Sequence, residues 1–574
     1  VPWLQFITLS YAEPRPVVVR LIALGIGADS EPFASLSWVP SSQYLSPMRA
    51  VWWIKRDFRL TDNAALTEAC RRVQRDGGEV LPVYVFEPSL LQAPETGALH
   101  VHVILTALQA LRAALRGRGA DLLVLQGQVP AVFEDLMKDA AGHDRRIAAI
   151  LAEEETGTRV TFQRDTHMRR WAEGRGIPFR EFPHNGVIRG LTDRDQRMPL
   201  WRARMQAPAE PAPTTIPMSA LTRRWCAATA IPEASDLGFP QPEGAVQRVD
   251  EQASRIVLDS FLSIRGREYS KGISSPEPAR YSGSRLSPHL AWGTITLRQV
   301  LHRLEERVAQ IRRDRAESSE RAAALRGWLG PLNAFRSRLY WHDHFCQRLE
   351  TEPDIEFRPL NRVYEDLPYD AGTDLEECLW AGRTGFPMVD ATVRSLSTTG
   401  FCNFRMRAML VSFATYALHI DWRRLRDPMA RIMADYLPGI HLSQLQMQAS
   451  VVGINTVRVY NPTKQLLDND PSCRFVRRFV PELRDVPPEA IIAHAVQGVD
   501  SPSHGLQGRA TDAAEAWTND SGGLGDYPPP VVDFRSAVKT MRGEIYRRKR
   551  SAAGKQEAER VLNKHGSRRR RGRS

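Results

Sequence analysis

Residues 51–63 read VWWIKRDFRLTDN, an apolar run that changes abruptly into a charged loop. The run 50–54 has the length and continuous apolarity of a strand buried on both faces of a parallel sheet. The loop 55–60 contains neither a Walker A pattern nor a G-x-G-x-x-G pattern. The stretch therefore predicts the first strand of an α/β sheet, followed by a turn that is not a conventional dinucleotide-binding turn.

Short apolar runs and helical stretches alternate from this point to about residue 190. Buried parallel strands are predicted at residues 50–54, 80–86, 122–125 and 147–151. Amphipathic helices are predicted between them at 63–74 and 103–115. The alternation predicts a doubly wound, Rossmann-like α/β domain over residues 48–190.

The pattern changes after a connecting segment. Residues 191–250 are rich in proline, alanine and charge, which is typical of an interdomain connector. Long amphipathic helices then dominate, for example at 295–308, 333–348 and 404–419, and strand signals nearly vanish. We expect an all-α domain over residues 251–496.

The two ends of the chain differ from the body. The first methionine is Met48, and we expect residues 1–47 to be either a disordered extension or the product of an over-long gene prediction. Residues 497–574 form a C-terminal extension in which a Tyr-Pro-Pro-Pro segment and one last helix lead into a basic tail. Residues 542–574 hold 13 Lys and Arg against 3 Asp and Glu, so this segment supplies +10 of the formal net charge of +12. Such a tail is either a solvated disordered end or a salt-sensitive arm that binds phosphates.

Composition excludes several classes of protein. The six cysteines are scattered singly, which argues against a disulfide framework and a cysteine metal cluster and favours reduced thiols in the cytoplasm. No continuous apolar stretch is long enough to span a bilayer, so we expect no membrane partner. His342 and His344 flank Asp343 but face apart on a helix, and a metal site there is disfavoured.

Two local patterns suggest anion and ion-pair chemistry. Residues 282–288 read SGSRLSP, a loop whose hydroxyls, backbone N–H groups and arginine suit a phosphate, although an ordinary helix-entry turn has the same composition. On the helix from Phe404, Arg405 and Arg407 lie off the apolar stripe. A buried arginine there requires a carboxylate partner, for which Asp435 is a candidate, whereas an exposed arginine requires none.

In combination, six ordered blocks resemble the DNA photolyase/cryptochrome family. They are the opening block 51–63, the loop 284–293 (SRLSPHLAWG), the turn 382–391 (GRTGFPMVDA), residues 404–407, residues 420–422 and residues 458–462. The resemblance spans roughly residues 50 to 500. It implies FAD in the helical domain and DNA as the partner. The α/β domain is expected either to hold an antenna chromophore, a pterin or deazaflavin, or to be empty.

The resemblance also implies roles for individual residues. The FAD diphosphate is expected at Ser284, Arg285, Leu286 and Ser287, with Tyr269 reaching a phosphate. The flavin ring is expected over Arg407 and Asp435. A guanidinium near the ring would stabilise its anionic reduced form. His441 aligns with the residue opposite the flavin N5, where it would donate a hydrogen bond or titrate with pH; a misplaced loop register is the alternative.

Several positions depart from the family pattern. Of its usual three-tryptophan electron path, only Trp422 remains; the other positions hold Leu445 and Tyr369, although aromatic residues such as Tyr416 are possible substitutes. The second of the two tryptophans that hold a flipped lesion is replaced by Met447.

The lesion-binding helix keeps Trp341 but has Arg338 in place of a glutamate. Phe404 and Ala408 replace the asparagine and methionine that would contact the lesion. We expect Trp341 and Met447 to contact DNA bases and Arg338, Arg405 and Arg458 to contact phosphates.

Two functions remain open on these grounds. The first is a light-driven DNA repair enzyme in which Arg407, Asp435, Trp422 and His441 serve the chemistry. The alternative is a cryptochrome-like blue-light photoreceptor or redox flavoprotein without repair activity.

Overall fold

The computed structural model describes residues 48–138, 146–497 and 524–566. The expectations for residues 1–47 and for the arginine run at 568–571 lie outside the described residues. Within them, the chain forms an α/β domain, a connector, a helical domain and two C-terminal helices.

A five-stranded parallel sheet with strand order β3-β2-β1-β4-β5 forms the centre of the first domain. The strands are β1 (Arg49–Ile54), β2 (Glu79–Phe86), β3 (Leu123–Gln126), β4 (Ile147–Glu153) and β5 (Phe179–Phe182). All residues of β1 and β2 are buried, which explains their unbroken apolar runs. The order confirms the doubly wound prediction and places the switch point between β1 and β4.

Helices cover both faces of this sheet. They are α1 (Ala64–Asp76), α2 (Pro88–Leu91), α3 (Ala98–Arg116), α4 (Ala131–Leu136) and α5 (Arg159–Glu173). Among the described residues, α3 is the one helix long and apolar enough to cross a membrane, a property that the search for continuous apolar runs missed. Its most apolar window is 56% buried within the protein, as is typical of a core helix.

The connector is more ordered than its composition suggests. It contains α6 (Arg197–Gln206) and α7 (Ala220–Ala228), and a short 3-10 helix at Arg194–Gln196 precedes α6. Cys226 of α7 packs in the core under the sheet. Trp201 and Met205 of α6 pack instead in a core of the helical domain. The connector is therefore folded against both domains.

The helical domain is built around one large apolar core that includes the fully buried Trp422. Its helices are α8 (Glu251–Ser263), α9 (Tyr269–Gly272), α10 (Pro276–Ser282), α11 (Ser287–Ala291), α12 (Leu297–Glu317), α13 (Ser319–Ala324), α14 (Leu329–Thr351), α15 (Thr373–Trp380), α16 (Pro387–Thr399), α17 (Phe404–Tyr416), α18 (Trp422–Arg431), α19 (Pro438–Gln448), α20 (Pro462–Asn469), α21 (Arg474–Phe479) and α22 (Pro488–Gln497).

Two helices follow where one was predicted: α23 (Phe534–Arg550) and α24 (Ala552–His565). Ser551 separates them, because its side chain accepts a hydrogen bond from Gly554 N and caps α24. Ile545 of α23 joins the main core, and Val561 of α24 joins a smaller one. The described basic part of the C-terminal extension is thus folded against the helical domain.

The loop after β1 joins the α/β domain to the helical domain. Arg59 donates hydrogen bonds to Glu153 at 2.7 Å and to Gly293 O at 3.0 Å. Gly293 has φ +64° and approaches Arg56 O so closely that a Cβ would lie 1.9 Å from it. Only glycine fits this contact. The contact holds the loop 284–293 against the α/β domain.

Candidate active site

A cavity opens in the helical domain between α11, α14, α17 and α19. It encloses about 670 Å³, including space open to solvent. Most of its lining surface is apolar, although several polar and charged side chains contribute to it. The residues are Ser287, His342, Phe404, Arg407, Ala408, Val411, Met429, Met433, Asp435, Leu437, Ile440, His441, Gln444, Leu445 and Gln448.

Arg407 and Asp435 form a two-pronged ion pair in the wall of this cavity. Arg407 Nη1 and Nη2 donate to the two carboxylate oxygens of Asp435 at 2.9 and 3.2 Å. Arg407 Nε donates to Cys402 O at 2.8 Å, which fixes the plane of the guanidinium. Burial would raise the pKa of Asp435, but Arg407 and a hydrogen bond from Ser287 bring it below its usual value. The pair predicted from the sequence is therefore formed and ionised.

The loop before α11 presents an unsatisfied cation. Arg285 has φ +61°, and its Nη1 is buried without a hydrogen-bond partner. Its guanidinium lies 3.5 Å from the centre of the Phe401 ring. Burial, then the nearby Arg280, lower the pKa of Arg285 to about 10, so it is cationic at neutral pH. A buried cation with a free N–H group suits an anionic ligand.

The other residues predicted for the phosphate site include Ser284, Leu286 and Tyr269. Ser284 Oγ accepts a hydrogen bond from Leu286 N at 3.5 Å, and Leu286 itself is buried. Tyr269 is buried against Phe261, and Arg338 is close enough to hydrogen-bond its hydroxyl. Arg338 thus lies on the Tyr269 side of α14.

His441 lies in the cavity wall with one ring nitrogen already engaged. Its Nε2 is 2.8 Å from Arg426 O. Burial lowers the pKa of His441 to about 4, so the ring is neutral at pH 7 and Nε2–H donates to that carbonyl. Nδ1 is then an acceptor. The expectation of a histidine that donates a hydrogen bond to the flavin or titrates near neutral pH does not agree with this geometry.

The donor set and the cavity fit a flavin dinucleotide. The free N–H of Arg285 and the hydroxyl of Ser284 suit a diphosphate, whereas the Ser287 hydroxyl donates to Asp435. Walls of Val411, Met429 and similar side chains suit a flat aromatic ring. Arg407 and Asp435 supply charged groups in the cavity wall that such a ring would contact.

Two family sequence models match the chain: DNA photolyase over residues 50–193, and the FAD binding domain of DNA photolyase over residues 335–547. The chain belongs to the DNA photolyase/cryptochrome family. Its helical domain is accordingly an FAD-binding domain of the photolyase type, as the ordered blocks predicted.

Individual members of the photolyase family match over most of their length. The deoxyribodipyrimidine photo-lyase of Halobacterium salinarum is 28% identical over 506 residues, 84% of this chain and 96% of that protein. Cryptochrome DASH of Natronomonas pharaonis is 28% identical over 519 residues, 86% of this chain and 99% of that protein. The crystal structure of the Sulfolobus tokodaii photolyase, described with two FAD molecules and a novel light-harvesting cofactor, has a TM-score of 0.66 at 23% identity. It covers 87% of this chain and 100% of that chain and shows a common fold.

Some predicted site residues lie outside the cavity of this photolyase-family chain. Trp422 is in the main core, and Leu445, not Trp422, lines the cavity. Met447 packs against the smaller core to which Val561 of α24 belongs and is not among the residues that line the cavity. The neighbouring Trp341 faces His344 and Phe345, whereas His342 reaches the cavity. A helix turns by about 100° per residue, so adjacent side chains point in different directions.

The predicted DNA-contacting arginines are at or near the surface. Arg338 and Arg458 are exposed. Arg405 is partly buried, and its Nη2 donates to Ser274 Oγ at 3.1 Å. Phe404 is 50% exposed while lining the cavity, so it stands at the mouth.

Sequence reasoning missed part of the cavity lining. Gln444 and Gln448, one turn apart on α19, face the cavity and bond to each other at 3.2 Å. Gln446, which alternates with them in the sequence, is instead a structural residue, accepting from Leu360 N at 2.6 Å. The helical spacing of Gln444 and Gln448 was the available signal.

A second cavity of about 860 Å³, including open space, lies at the carboxyl ends of β1, β2 and β4. Trp292, Tyr436 and His100 form one wall, with His100 and Tyr436 stacked at 5.4 Å. The opposite end is charged, with Arg164 paired to Glu155 at 2.7 Å. This is the switch-point position at which open α/β sheets bind ligands.

Proposed function

We propose that this protein is an FAD-dependent DNA photolyase that repairs UV-induced pyrimidine dimers with light. The observation that carries the proposal is the Arg407–Asp435 ion pair in the cavity wall, together with the free buried N–H group of Arg285 in the loop before α11. The names of its relatives support the same reaction class.

The residues of the chain have separable roles in this proposal. Bound reduced FAD would supply, on absorbing blue or near-ultraviolet light, the electron that splits a pyrimidine dimer, and would regain it once the dimer has split. Arg285 and Ser284 would hold the diphosphate, and Ser287 would hold Asp435 in place. Arg407 stabilises negative charge at the ring, and Asp435 holds Arg407 in place. The apolar walls exclude water from the reacting partners.

DNA is the proposed partner of the exposed mouth. Phe404 offers an aromatic surface for an unstacked base at the cavity entrance. Arg338 and Arg458 are exposed and are the proposed phosphate contacts, and Arg405 lies one residue after Phe404 on α17. These contacts would weaken steeply with salt. A cytoplasmic location, with reduced thiols, is part of the same proposal.

The second cavity is proposed to hold an antenna chromophore, a pterin or deazaflavin. Its aromatic wall suits a flat ring, and Tyr436 links it to the flavin cavity through an edge contact with His441 at 5.4 Å. Light absorbed there would be passed to the FAD site.

A photoreceptor without repair activity is the second candidate. It is favoured by the contact between the C-terminal extension and the helical domain, because Ile545 of α23 belongs to the main core and the partly buried Tyr369 packs against the same core. Movement of α23 and α24 after a change in flavin charge would be its signal.

The test is repair of an oligonucleotide that carries one cyclobutane dimer, by FAD-loaded and chemically reduced protein, in light and in the dark. Arg285→Gln should lose repair together with bound FAD, whereas Phe404→Ala should lose repair and keep FAD. A wild-type protein that holds FAD and shows a reversible light-induced flavin change, but no repair, would refute the photolyase proposal in favour of the photoreceptor.

A further inference from the structure

A group of arginine and histidine side chains lies under helix α24, and none of them lines the flavin cavity. We call it the Arg348 cluster: Arg194 and Arg197 from the connector, His344 and Arg348 from α14, and His565 from the last turn of α24. Arg197, His344 and His565 are each 1% exposed, and Arg348 is 4% exposed. Helix α24 packs against the connector helix that carries Arg194 and so closes the cluster on one side.

Several N–H groups of the cluster have no hydrogen-bond partner in the structure. They are Nε and Nη1 of Arg348 and Nε and Nη2 of Arg197. The two guanidinium groups lie instead 5.4 Å from the Phe345 ring centre and 5.0 Å from the Tyr340 ring centre. Burial, then Arg194, lower the pKa of Arg348 to about 10, and it remains a cation at neutral pH. Buried guanidinium groups without counter-charges are unfavourable unless a partner completes them.

His344 adds a further unpaired donor. Arg194 Nη2 donates to His344 Nδ1 over 2.9 Å. Burial, then Arg348 and other cations, lower the pKa of His344 far below its usual value, so the ring is neutral and carries its proton on Nε2. That nitrogen is buried without a partner. The unpaired atoms of the cluster are therefore all donors.

The carboxylates near the cluster on α14 are already engaged. Glu352 accepts hydrogen bonds from His565 Nε2 at 2.8 Å and from Arg362 Nη2 at 2.9 Å. Asp343 accepts one from Trp201 Nε1 at 2.8 Å. Neither forms an ion pair with Arg348 or Arg197 within the described residues. Arg197 helps to hold the pKa of Asp343 below its usual value, but no carboxylate contacts the free N–H groups of Arg348 and Arg197 within the described residues.

We propose that the Arg348 cluster is a binding site for an oxyanion of the phosphate class. Two guanidinium forks and an imidazole N–H match the several acceptor oxygens and the double charge of such a group. Inorganic phosphate and the terminal phosphate of a nucleic acid share this chemistry. The site is separate from the flavin cavity, and its occupation is independent of the repair reaction.

The test is equilibrium dialysis of FAD-loaded protein against labelled inorganic phosphate at constant ionic strength, with thermal unfolding in parallel. The variants are Arg348→Leu, and Arg313→Leu as an exposed arginine on α12. Wild type and Arg313→Leu should bind one more phosphate per chain than Arg348→Leu. Phosphate should raise the melting temperature of wild type by several degrees and leave that of Arg348→Leu unchanged. Without phosphate, Arg348→Leu should be at least as stable as wild type, because it removes an unpaired buried cation.

Equal phosphate binding by wild type and Arg348→Leu would overturn the proposal. So would a large loss of stability in Arg348→Leu without phosphate, since Arg348 would then stabilise the fold by itself. If Arg348→Leu does not fold, Arg197→Met tests the second guanidinium under the same criteria. Displacement of bound phosphate by a 5′-phosphorylated oligonucleotide, but not by its unphosphorylated twin, would identify a nucleic-acid end as the source; no displacement by either would identify the free ion.

Discussion

Replacement of Asp435 by asparagine should destabilise the helical domain because it leaves a buried guanidinium unpaired. The carboxylate side chain is 8% exposed and the Arg407 side chain 18% exposed. Removing one partner of a buried ion pair costs about 3–5 kcal/mol, and the partial exposure of Arg407 favours the lower end, about 3 kcal/mol. For a domain of this size that corresponds to a fall in melting temperature of roughly 6–12 °C.

The assay is thermal unfolding followed by circular dichroism, with Asp435→Asn, Arg407→Met and the double variant measured together. The cycle should return a coupling energy of about 2–3 kcal/mol, because the second substitution removes a charge that the first has already left unpaired. Asp468→Asn is the control, since its pair with Lys464 is exposed and worth less than about 1 kcal/mol. Additive single effects, or a loss no larger than that of the control, would refute the reasoning.

Four further outcomes are expected. Arg285→Gln should weaken FAD binding about 10–100-fold in fluorescence titration, since it loses charge-assisted hydrogen bonds, while the exposed Lys271→Gln should bind as wild type. The pKa of His441 in the folded protein is about 4, so the flavin spectrum should show no titration between pH 6 and 8. For the same reason, the stability of wild type relative to His441→Asn should fall as the pH drops from about 6.5 to 4. A stability difference between the two proteins that stays constant over that range would contradict this. Burial raises the pKa of Asp390 to about 6, so the stability that Asp390 contributes is highest below about pH 3.9 and falls as the pH rises to 6. Tyr527→Phe removes a hydrogen bond to that carboxylate. In paired unfolding measurements it should lower the free energy of unfolding more above pH 6, where the carboxylate is charged, than below pH 4. Glu352→Gln should release α24, because Lys564 and His565 lose their shared partner; faster tryptic cleavage after Lys564 with an unchanged FAD content is the expected readout, and unchanged protection would argue against it.

The sheet and the order of the domains were predictable because their signals are local. Continuous apolar runs predicted β1 to β4 within one or two residues at each end. Strand β5 was missed because its sequence, Phe-Arg-Glu-Phe, is only four residues long and has two charged residues at its centre. The connector helices α6 and α7 were missed because proline-rich composition around them outweighed their own short periodicity.

The candidate site was predictable only in part. Arg407 and Asp435 are 28 residues apart, and family resemblance supplied a pairing that no local pattern shows. The protonation of His441 depends on its burial and on the Arg426 carbonyl, both of which are properties of tertiary packing. Trp341 packs against His344 and Phe345, and Met447 packs against the smaller core that includes Val561 of α24. These contacts depend on how distant helices pack, so the local sequence does not show them.

The basic C-terminal segment gave the least reliable expectation. Its charge suggested a solvated end, yet α24 buries Val561 and His565. His565 bonds to Glu352, which lies at the end of α14, more than 200 residues earlier in the chain. The composition of the tail therefore does not indicate this contact.

The central claim is that the FAD held in the helical domain of this chain drives light-dependent repair of DNA. The most direct measurement is the number of cyclobutane dimers lost from a single-dimer duplex per FAD-loaded, reduced protein under blue light, against an identical dark reaction. The account predicts multiple turnovers in light and none in the dark. Intact dimers after illumination of fully reduced, FAD-loaded protein would contradict it.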